Sequence, residues 1–257
     1  MSATILVNNL TKRFNDHTAV DHISFEVPAG QICGYLGPNG AGKTTTVKML
    51  TGMIKLNDGS AAIAGFDIHR NPLEVKKTIG YVPESGALYE NLTPYEYLFM
   101  IGALYHLTGE HLENKIDEFL RIFKLSEVKN DRMNSFSKGM KQKIVISAAL
   151  LHNPEVIFFD EPLNGLDANS AFLLKELIRN LAAQGKTIFY CSHILEVVEK
   201  ICDRVIIIND GKIAADGSID ELQHLTRKSS LEDIFSQVTH SEDMAEIAEA
   251  LSKVVTN

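Results

Sequence analysis

The segment GPNGAGKTTT at residues 37–46 combines residue types and a spacing that can hold a chain of phosphate groups. It matches the pattern G-x-x-x-x-G-K-[ST]. Glycines have no side chain, so successive backbone N–H groups can curl around phosphate oxygens, and the helix start that follows also favours an anion. Lys43 is then expected to reach the β- and γ-phosphates of a nucleotide, and Thr44 to place a hydroxyl beside Mg²⁺. The residues that we expect to contact the nucleotide here are Gly37, Pro38, Asn39, Gly40, Ala41, Gly42, Lys43, Thr44 and Thr45.

An ordinary glycine turn between a strand and a helix is the alternative interpretation of this segment. The context favours phosphate binding, because the apolar run QICGYL precedes the segment and the helical pattern GKTTTVKMLTGM overlaps its end. We therefore predict a bound nucleotide.

The segment EVIFFDEP at residues 155–162 supplies the acidic groups that a reaction on a phosphate chain needs. Its apolar residues 156–159 predict a buried central strand, and Asp160 and Glu161 follow at the carboxyl end, where sites form in open α/β sheets. We expect Asp160 to hold Mg²⁺ through water and Glu161 to polarise an attacking water near the γ-phosphate. A strand that merely ends in solvated carboxylates is the alternative, which the phosphate loop disfavours.

The composition excludes some classes of protein. The 257 residues carry a net charge of −8, which argues against a nucleic-acid partner bound through a broad basic surface. Cys33, Cys191 and Cys202 lie far apart and suggest buried free thiols in a reducing compartment. We find no signal-peptide pattern, and the apolar run at residues 144–151 is too short to cross a bilayer. We therefore expect a soluble chain whose membrane role would come through a partner.

The elements that position these residues follow an α/β pattern. Short apolar runs predict the buried strands TILV, ISFEV, QICGYL, SAAIAG, IGYV, EVIFFD, TIFYC and RVIIIN. Helical patterns alternate with the later strands, and one of them has Asp167 as its candidate N-cap and Gly185 as its C-terminal stop. This alternation predicts a mostly parallel sheet with helices on both faces.

One stretch, from about Thr93 to Leu151, carries helix signals and no clear strand. Thr93 is the N-cap and Pro94 the first residue of its first helix, and Ser137 starts its third. We therefore predict an all-helical insert. The expected parts are a nucleotide-binding core at residues 1–90 and 152–224, the insert at 91–151 and a C-terminal helical tail at 225–257.

Further motifs complete an ordered set along the chain. After the phosphate loop come the helical insert, the serine–glycine helix start SFSKGMKQK, the acidic strand, NGLD and a strand that ends in CSH. In this order the motifs resemble those of the ATP-binding cassette (ABC) ATPases, over residues from about 5 to about 219. The resemblance implies an α/β fold with a P-loop NTPase (RecA-like) core, a mostly parallel sheet, an N-terminal antiparallel β part and an all-helical insert. It also implies ATP and Mg²⁺ as cofactors.

The resemblance implies roles for residues outside the first two motifs. Phe14 matches the aromatic residue that stacks on adenine, and His193 matches the histidine that contacts the γ-phosphate and orients the catalytic residues. Ser137 and Gly139 match the positions that contact the γ-phosphate held by the opposite subunit, and Asp167 matches the aspartate of the loop that crosses the dimer interface. From the residues alone, Ser137 and Asp167 are also explained as helix N-caps. Likewise, Phe14 is also explained as a core residue and His193 as a residue at a helix start.

Two motifs depart from the family pattern. The signature reads FSKGM instead of LSGGQ, although it keeps the serine and the second glycine. The family's glutamine after the IGYVP segment is Glu84 here, whose carboxylate can approach Mg²⁺. The predicted catalytic residues are Lys43, Glu161 and His193. The predicted metal ligands are Thr44, Glu84 and Asp160.

The variants KGMKQK, VPES and SLEDIF look like those of bacterial exporters of drugs, antibiotics, peptides or polysaccharides. We therefore expect an export ATPase on the cytoplasmic side of the membrane, bound to a separate transmembrane permease subunit and to a second cassette. A second copy of the chain is favoured as that cassette, and a different cassette is the alternative.

Three other functions are considered: a cassette of a soluble machine such as the ribosome or DNA repair, a nucleotide-gated module without turnover, and a small-molecule kinase. The acidic charge disfavours the first, Glu161 and His193 disfavour the second, and the signature serine disfavours the third.

Overall fold

The structure is a computed structural model that describes residues 3–84, 88–228 and 230–239. The strands are β1 (Ala3–Phe14), β2 (His17–Pro28), β3 (Ile32–Leu36), β4 (Asp58–Ile63), β5 (Phe66–Asp67), β6 (Ile79–Val82), β7 (Val156–Asp160), β8 (Thr187–Cys191), β9 (Arg204–Asn209) and β10 (Lys212–Gly217). The helices are α1 (Lys43–Leu50), α2 (Pro72–Thr78), α3 (Pro94–Leu104), α4 (Gly109–Ile122), α5 (Lys138–Leu150), α6 (Ala168–Ala183), α7 (Leu195–Ile201), α8 (Ile219–Thr226) and α9 (Leu231–Thr239).

The strands form two sheets. A four-stranded antiparallel sheet has the order β2-β1-β4-β5, and a six-stranded sheet has the order β10-β9-β3-β8-β7-β6. Within the larger sheet every pairing is parallel except that of β10 with β9. The predicted fold class, with its N-terminal antiparallel part and mostly parallel sheet, is therefore confirmed.

The strand order of the larger sheet brings three carboxyl ends side by side. β8 lies between β3 and β7, with Tyr35 opposite Cys191 and Asp160 also opposite Cys191. The phosphate loop follows β3, Asp160 ends β7, and the SH pair of the CSH motif follows β8. Because the carboxyl ends of parallel strands meet at one edge of the sheet, this order gathers the predicted catalytic segments.

The larger sheet is buried on both faces, which explains why its strands read as continuous apolar runs. On one face it packs against the antiparallel sheet and α1, and there Phe25 of β2 stacks on Phe189 of β8 with the ring centroids 5.9 Å apart. On the other face it packs against the helical insert and α6, α7 and α9. These two cores hold the strand ends in place.

Local capping chemistry sets the predicted helix starts. Thr93 forms a capping box with Glu96 at the start of α3, and Ser137 and Asp167 cap α5 and α6. Gly185 follows α6 with a φ of 89°. From Thr93 to Leu151 the chain contains helices and no strand, as predicted.

Some elements differ from the prediction. The strands β5 and β10 and the helices α2 and α8 were not predicted, and β1 runs well beyond its apolar start. Helix α8 also crosses residue 225, where the tail was expected to begin. Helix α7 begins at Leu195 instead of Ser192, because the Ser192 hydroxyl accepts a hydrogen bond from the Ile194 N–H and holds a turn there (3.1 Å). Of the predicted C-terminal tail, residues 240–257 lie outside the described residues, as does Ser85 of the VPES segment.

Within residues 3–84, 88–228 and 230–239, no helix is long and apolar enough to cross a membrane.

Candidate active site

The phosphate loop is packed so closely against two strands that two of its glycines, Gly37 and Gly42, leave no room for a side chain. A Cβ atom at Gly37 would lie 2.4 Å from the carbonyl oxygen of Ile208 in β9, and one at Gly42 would lie 2.5 Å from that of Ala19 in β2. Gly42 also has a φ of 107°, which side-chain-bearing residues rarely adopt. The loop is therefore anchored on both sides, and α1 begins directly after it at Lys43.

Lys43 lies across the loop that it follows. Its side chain is buried, and its ammonium group donates hydrogen bonds to the carbonyl oxygens of Gly37 (2.7 Å) and Pro38 (3.1 Å). Asn39 and Gly40, at the tip of the loop, are exposed. This arrangement places one cation and the positive end of a helix beside an open loop, which suits a polyphosphate.

Asp160 is a buried carboxylate without a hydrogen-bonding partner. It is 1% exposed, and neither of its oxygens forms a hydrogen bond to any of the described residues. Burial raises the pKa of Asp160 to about 6; the Thr44 hydroxyl and the Lys43 ammonium oppose this rise, while the carboxylates of Glu84 and Glu161 add to it. Thr44 lies near Asp160 without completing a hydrogen bond.

An unpaired buried carboxylate beside a hydroxyl fits a hard divalent cation. Thr44, Glu84 and Asp160 line one groove together. The described residues contain no group of three or more His, Cys, Asp or Glu side chains suited to a metal ion. The carboxylate of Asp160 and the hydroxyl of Thr44 are hard oxygen donors, which fit an ion such as Mg²⁺ that takes its other ligands from phosphate and water.

Glu161 is held in a strained backbone conformation next to His193. Its φ is 50°, a left-handed value that costs a residue with a side chain on the order of 1–3 kcal/mol. Its N–H donates to the carbonyl oxygen of Cys191 (3.0 Å), so the end of β8 fixes its backbone. Its Oε1 lies 2.7 Å from His193 Nδ1, and the Ser192 hydroxyl donates to its Oε2 (3.4 Å).

The Glu161–His193 pair joins a buried group to a solvent-facing one. The Glu161 side chain is 9% exposed, whereas that of His193 is 58% exposed. One ring nitrogen of His193 therefore contacts the carboxylate while much of the ring faces the open side of the site. This is the geometry of a candidate general base with an orienting partner.

Known proteins share this arrangement of motifs. The sequence model of the ABC transporter family matches residues 20–164, more than half of the chain. The chain belongs to the ABC transporter family. It is an ATP-binding cassette, and its enzymatic activity is ATP hydrolysis.

Individual relatives agree with this assignment. The chain is 42% identical over 229 residues to the bacitracin transport ATP-binding protein BcrA of Bacillus licheniformis, covering 89% of this chain and 74% of BcrA. It is 35% identical over 216 residues to the Nod factor export ATP-binding protein I of Burkholderia lata, covering 84% and 71% of the two chains. A solved structure of an ATP-binding subunit of an ABC transporter superposes with a TM-score of 0.87 at 31% identity, covering 92% of this chain and 99% of that one.

The signature segment of the cassette forms local contacts of its own. The Ser137 hydroxyl accepts a hydrogen bond from the Met140 N–H (3.2 Å), so its predicted capping role is present. A Cβ atom at Gly139 would lie 2.7 Å from the carbonyl oxygen of Gly165. Among the described residues, no hydrogen bond joins Ser137 or Gly139 to residues 37–45, so these two predicted nucleotide contacts lie outside the cluster around Lys43.

Asp167 is fully engaged as a helix cap. Its carboxylate accepts hydrogen bonds from the Ser170 N–H (3.0 Å) and hydroxyl (2.6 Å), and Lys143 Nζ lies 3.8 Å from Oδ2. These contacts, led by the Ser170 hydroxyl, lower the pKa of Asp167 to about 2. The side chain is nevertheless 62% exposed to solvent.

Phe14 is not a core residue. It ends β1 and is 46% exposed, and the Lys12 ammonium lies 4.9 Å from its ring centroid. The alternative of a core aromatic residue is therefore wrong, and the ring is free to stack on a planar ligand.

Two polar residues at this site were missed by the sequence reasoning. Ser192 contacts Glu161, and Gln142 of α5 donates a hydrogen bond to the carbonyl oxygen of Pro162, directly after Glu161. Ser192 could have been inferred from its place in the CSH motif. The contact of Gln142 with Pro162 joins residues 20 positions apart, so no local sequence pattern predicts it.

Proposed function

We propose that this cassette is the ATP-hydrolysing subunit of an exporter and drives a separate membrane-spanning permease. The names of its relatives describe bacitracin transport and Nod factor export, and the variants KGMKQK and SLEDIF resemble those of exporter cassettes. These features favour transport over the alternative of a soluble machine at the ribosome or in DNA repair. We propose no nucleic-acid partner.

One observation carries the catalytic part of the proposal. The carboxylate of Glu161 is bonded to His193 at the same sheet edge as the unpaired carboxylate of Asp160 and the phosphate loop. A polyphosphate bound along the loop would end in front of these groups.

The nucleotide contacts proposed within one copy are Phe14 on the adenine and Gly37, Pro38, Asn39, Gly40, Ala41, Gly42, Lys43, Thr44 and Thr45 on the phosphates. The proposed metal ligands are Thr44, Glu84 and Asp160. Bound there, Mg²⁺ would neutralise phosphate charge and polarise the γ-phosphate.

The proposed chemistry belongs to three side chains. Lys43 exchanges its loop carbonyls for phosphate oxygens and stabilises the charge of the transferring group. Glu161 polarises the attacking water, and His193 holds the Glu161 carboxylate and contacts the γ-phosphate. The close Glu161–His193 contact supports these roles.

We further propose that a second cassette completes the site. Ser137 and Gly139 lie at the start of α5 and form no hydrogen bond to the phosphate loop among the described residues, and a helix start is a good anion site. In two copies related by a two-fold axis, the helix start of each copy would contact the nucleotide bound to the other copy. Asp167 would then lie at the interface between the copies. Closure with ATP and opening after hydrolysis would move the permease.

The proposed location is the cytoplasmic side of the cell membrane, held there by the permease. The proposed parts are a core at residues 1–90 and 152–224, a helical insert at 91–151 and a tail from 225. The packing of α5 between the sheet and the other insert helices supports the insert as a unit.

The Glu161→Gln variant tests the catalytic proposal. It should lower kcat by about 100-fold or more, retain ATP and accumulate as a dimer, because binding is kept while the base is lost. Glu155→Gln is the matched control, since Glu155 is an exposed residue at the opposite end of the same acidic segment. Normal turnover in Glu161→Gln would show that the base assignment is wrong.

Purification of the tagged chain from membranes of the cells that naturally produce it tests the transport proposal. A polytopic membrane protein should accompany it. Recovery of ribosomes or DNA in its place would support the soluble alternative.

A further inference from the structure

We propose that Gln142 is a positioning residue for Glu161 and acts through the carbonyl group of Pro162. This inference rests on the proposed role of Glu161 as the general base. Gln142 lies on α5, in the second turn after the signature serine, and it is 4% exposed. Its side chain is therefore a buried polar group whose hydrogen bond must be explained.

One face of α5 lies along the loop that carries Glu161. Gly139, Gln142 and Lys143 have the i, i+3 and i+4 spacing of neighbours on a helix face. They approach Gly165, Pro162 and Asp167 in turn: a Cβ atom at Gly139 would be 2.7 Å from the Gly165 oxygen, and Lys143 Nζ lies 3.8 Å from Asp167 Oδ2.

The contact between Gln142 and Pro162 is the one nearest to the base. Gln142 Nε2 donates to the Pro162 carbonyl oxygen at 3.2 Å, and both residues are buried. Proline has no N–H group, so its carbonyl is the only backbone group through which Pro162 can be hydrogen-bonded.

Glu161 is thereby fixed from two sides. Its own N–H is bound to the Cys191 carbonyl at the end of β8, and the next residue is bound to α5. A backbone with a φ of 50° at a glutamate persists only when its surroundings hold it there. Without the Gln142 hydrogen bond, we expect this segment to relax and the Glu161 carboxylate to leave its position beside His193.

The Gln142→Met variant tests the proposal, because methionine keeps the length and approximate volume of the side chain and removes the donor. We expect kcat for ATP hydrolysis to fall by about 10- to 100-fold, the usual effect of a small misplacement of a catalytic group. The affinity of the variant for a non-hydrolysable ATP analogue with Mg²⁺ should stay within about twofold of that of the parent chain. When the variant is incubated with ATP instead, the bound nucleotide should be recovered as ATP and not as ADP.

Lys141→Met is the matched control. Lys141 is the preceding residue, its side chain pairs with Glu90, and among the described residues no hydrogen bond or ion pair joins it to the loop of Glu161. Its kcat should equal that of the parent chain. If Gln142→Met does not fold, Gln142→Asn carries the same prediction, since its amide is one methylene group shorter.

The outcomes are distinct. A fall in kcat of less than about fivefold would overturn the positioning role, and so would a parallel loss of analogue binding, which indicates a general packing defect. Glu161→Gln is measured alongside. Normal turnover in that variant would instead remove the proposed function on which this inference rests.

Discussion

The pH dependence of stability provides a test of the buried carboxylate at Asp160. An unfolded aspartate has a pKa of 3.8, whereas burial raises the pKa of Asp160 to about 6 in the folded chain. The folded chain therefore holds this proton more tightly, and unfolding releases it between these two values. It follows that the contribution of Asp160 to the free energy of unfolding falls as the pH rises from about 4 to about 6.

The magnitude follows from the shift. A rise from 3.8 to about 6 is about two pKa units, or roughly 3 kcal/mol of lost stability once the pH exceeds 6. About 2 kcal/mol of this loss should occur between a pH of about 4.5 and a pH of about 7.5. The Asp160→Asn variant is neutral at both values, so it should lack this part of the pH dependence.

Urea unfolding at these two pH values, without nucleotide, measures the effect. The chain has no tryptophan, so circular dichroism is a suitable signal. The difference in stability between Asp160→Asn and the parent chain should shift by about 2 kcal/mol in favour of the variant at the higher pH. Any constant cost of the buried amide cancels in this comparison. A shift below about 0.5 kcal/mol would refute the description of Asp160 as a buried, unpaired acid.

Three further substitutions test the geometry of the site. Gly42→Ala should lose on the order of 1–3 kcal/mol of stability and most nucleotide binding, because its Cβ atom would lie 2.5 Å from the Ala19 carbonyl oxygen. An unchanged midpoint of thermal unfolding would contradict this packing. His193→Gln should lower kcat by about 100-fold, because the partner of Glu161 is lost. The free energy of unfolding should change by less than about 1 kcal/mol, because the His193 side chain is 58% exposed. A kcat equal to that of the parent chain would exclude a catalytic role for His193. Phe14→Ala should weaken ATP binding by about tenfold, which is the usual effect of losing the stacking of one base. Its stability to urea should change little, because Phe14 is 46% exposed. Unchanged ATP binding in a titration would show that adenine lies elsewhere.

The parts of this fold that could be predicted are those encoded locally. The phosphate loop is one contiguous run of residues that matches a single local pattern. The caps at Thr93, Ser137 and Asp167 act within three residues of themselves. The central strands are apolar on both faces because both faces are covered.

The parts that could not be predicted depend on contacts between distant segments or on weak local patterns. Helix α2 has only seven residues, and β10 pairs at the edge of the sheet with a mixed exposure pattern, so neither carries a strong periodic signal. The left-handed backbone of Glu161 and its neighbours Ser192 and Gln142 are set by tertiary packing. The sequence therefore predicted candidate catalytic groups, Glu161 and His193 among them, but not the residues Ser192 and Gln142 that contact their segment.

A crystal structure with Mg²⁺ and a non-hydrolysable ATP analogue tests the central claim most directly. We expect the phosphates along residues 37–45 with Lys43 bound to them, the metal beside Thr44 and Asp160, and the γ-phosphate facing Glu161 and His193. An analogue bound elsewhere, with Lys43 still donating to the Gly37 and Pro38 carbonyl oxygens, would contradict it.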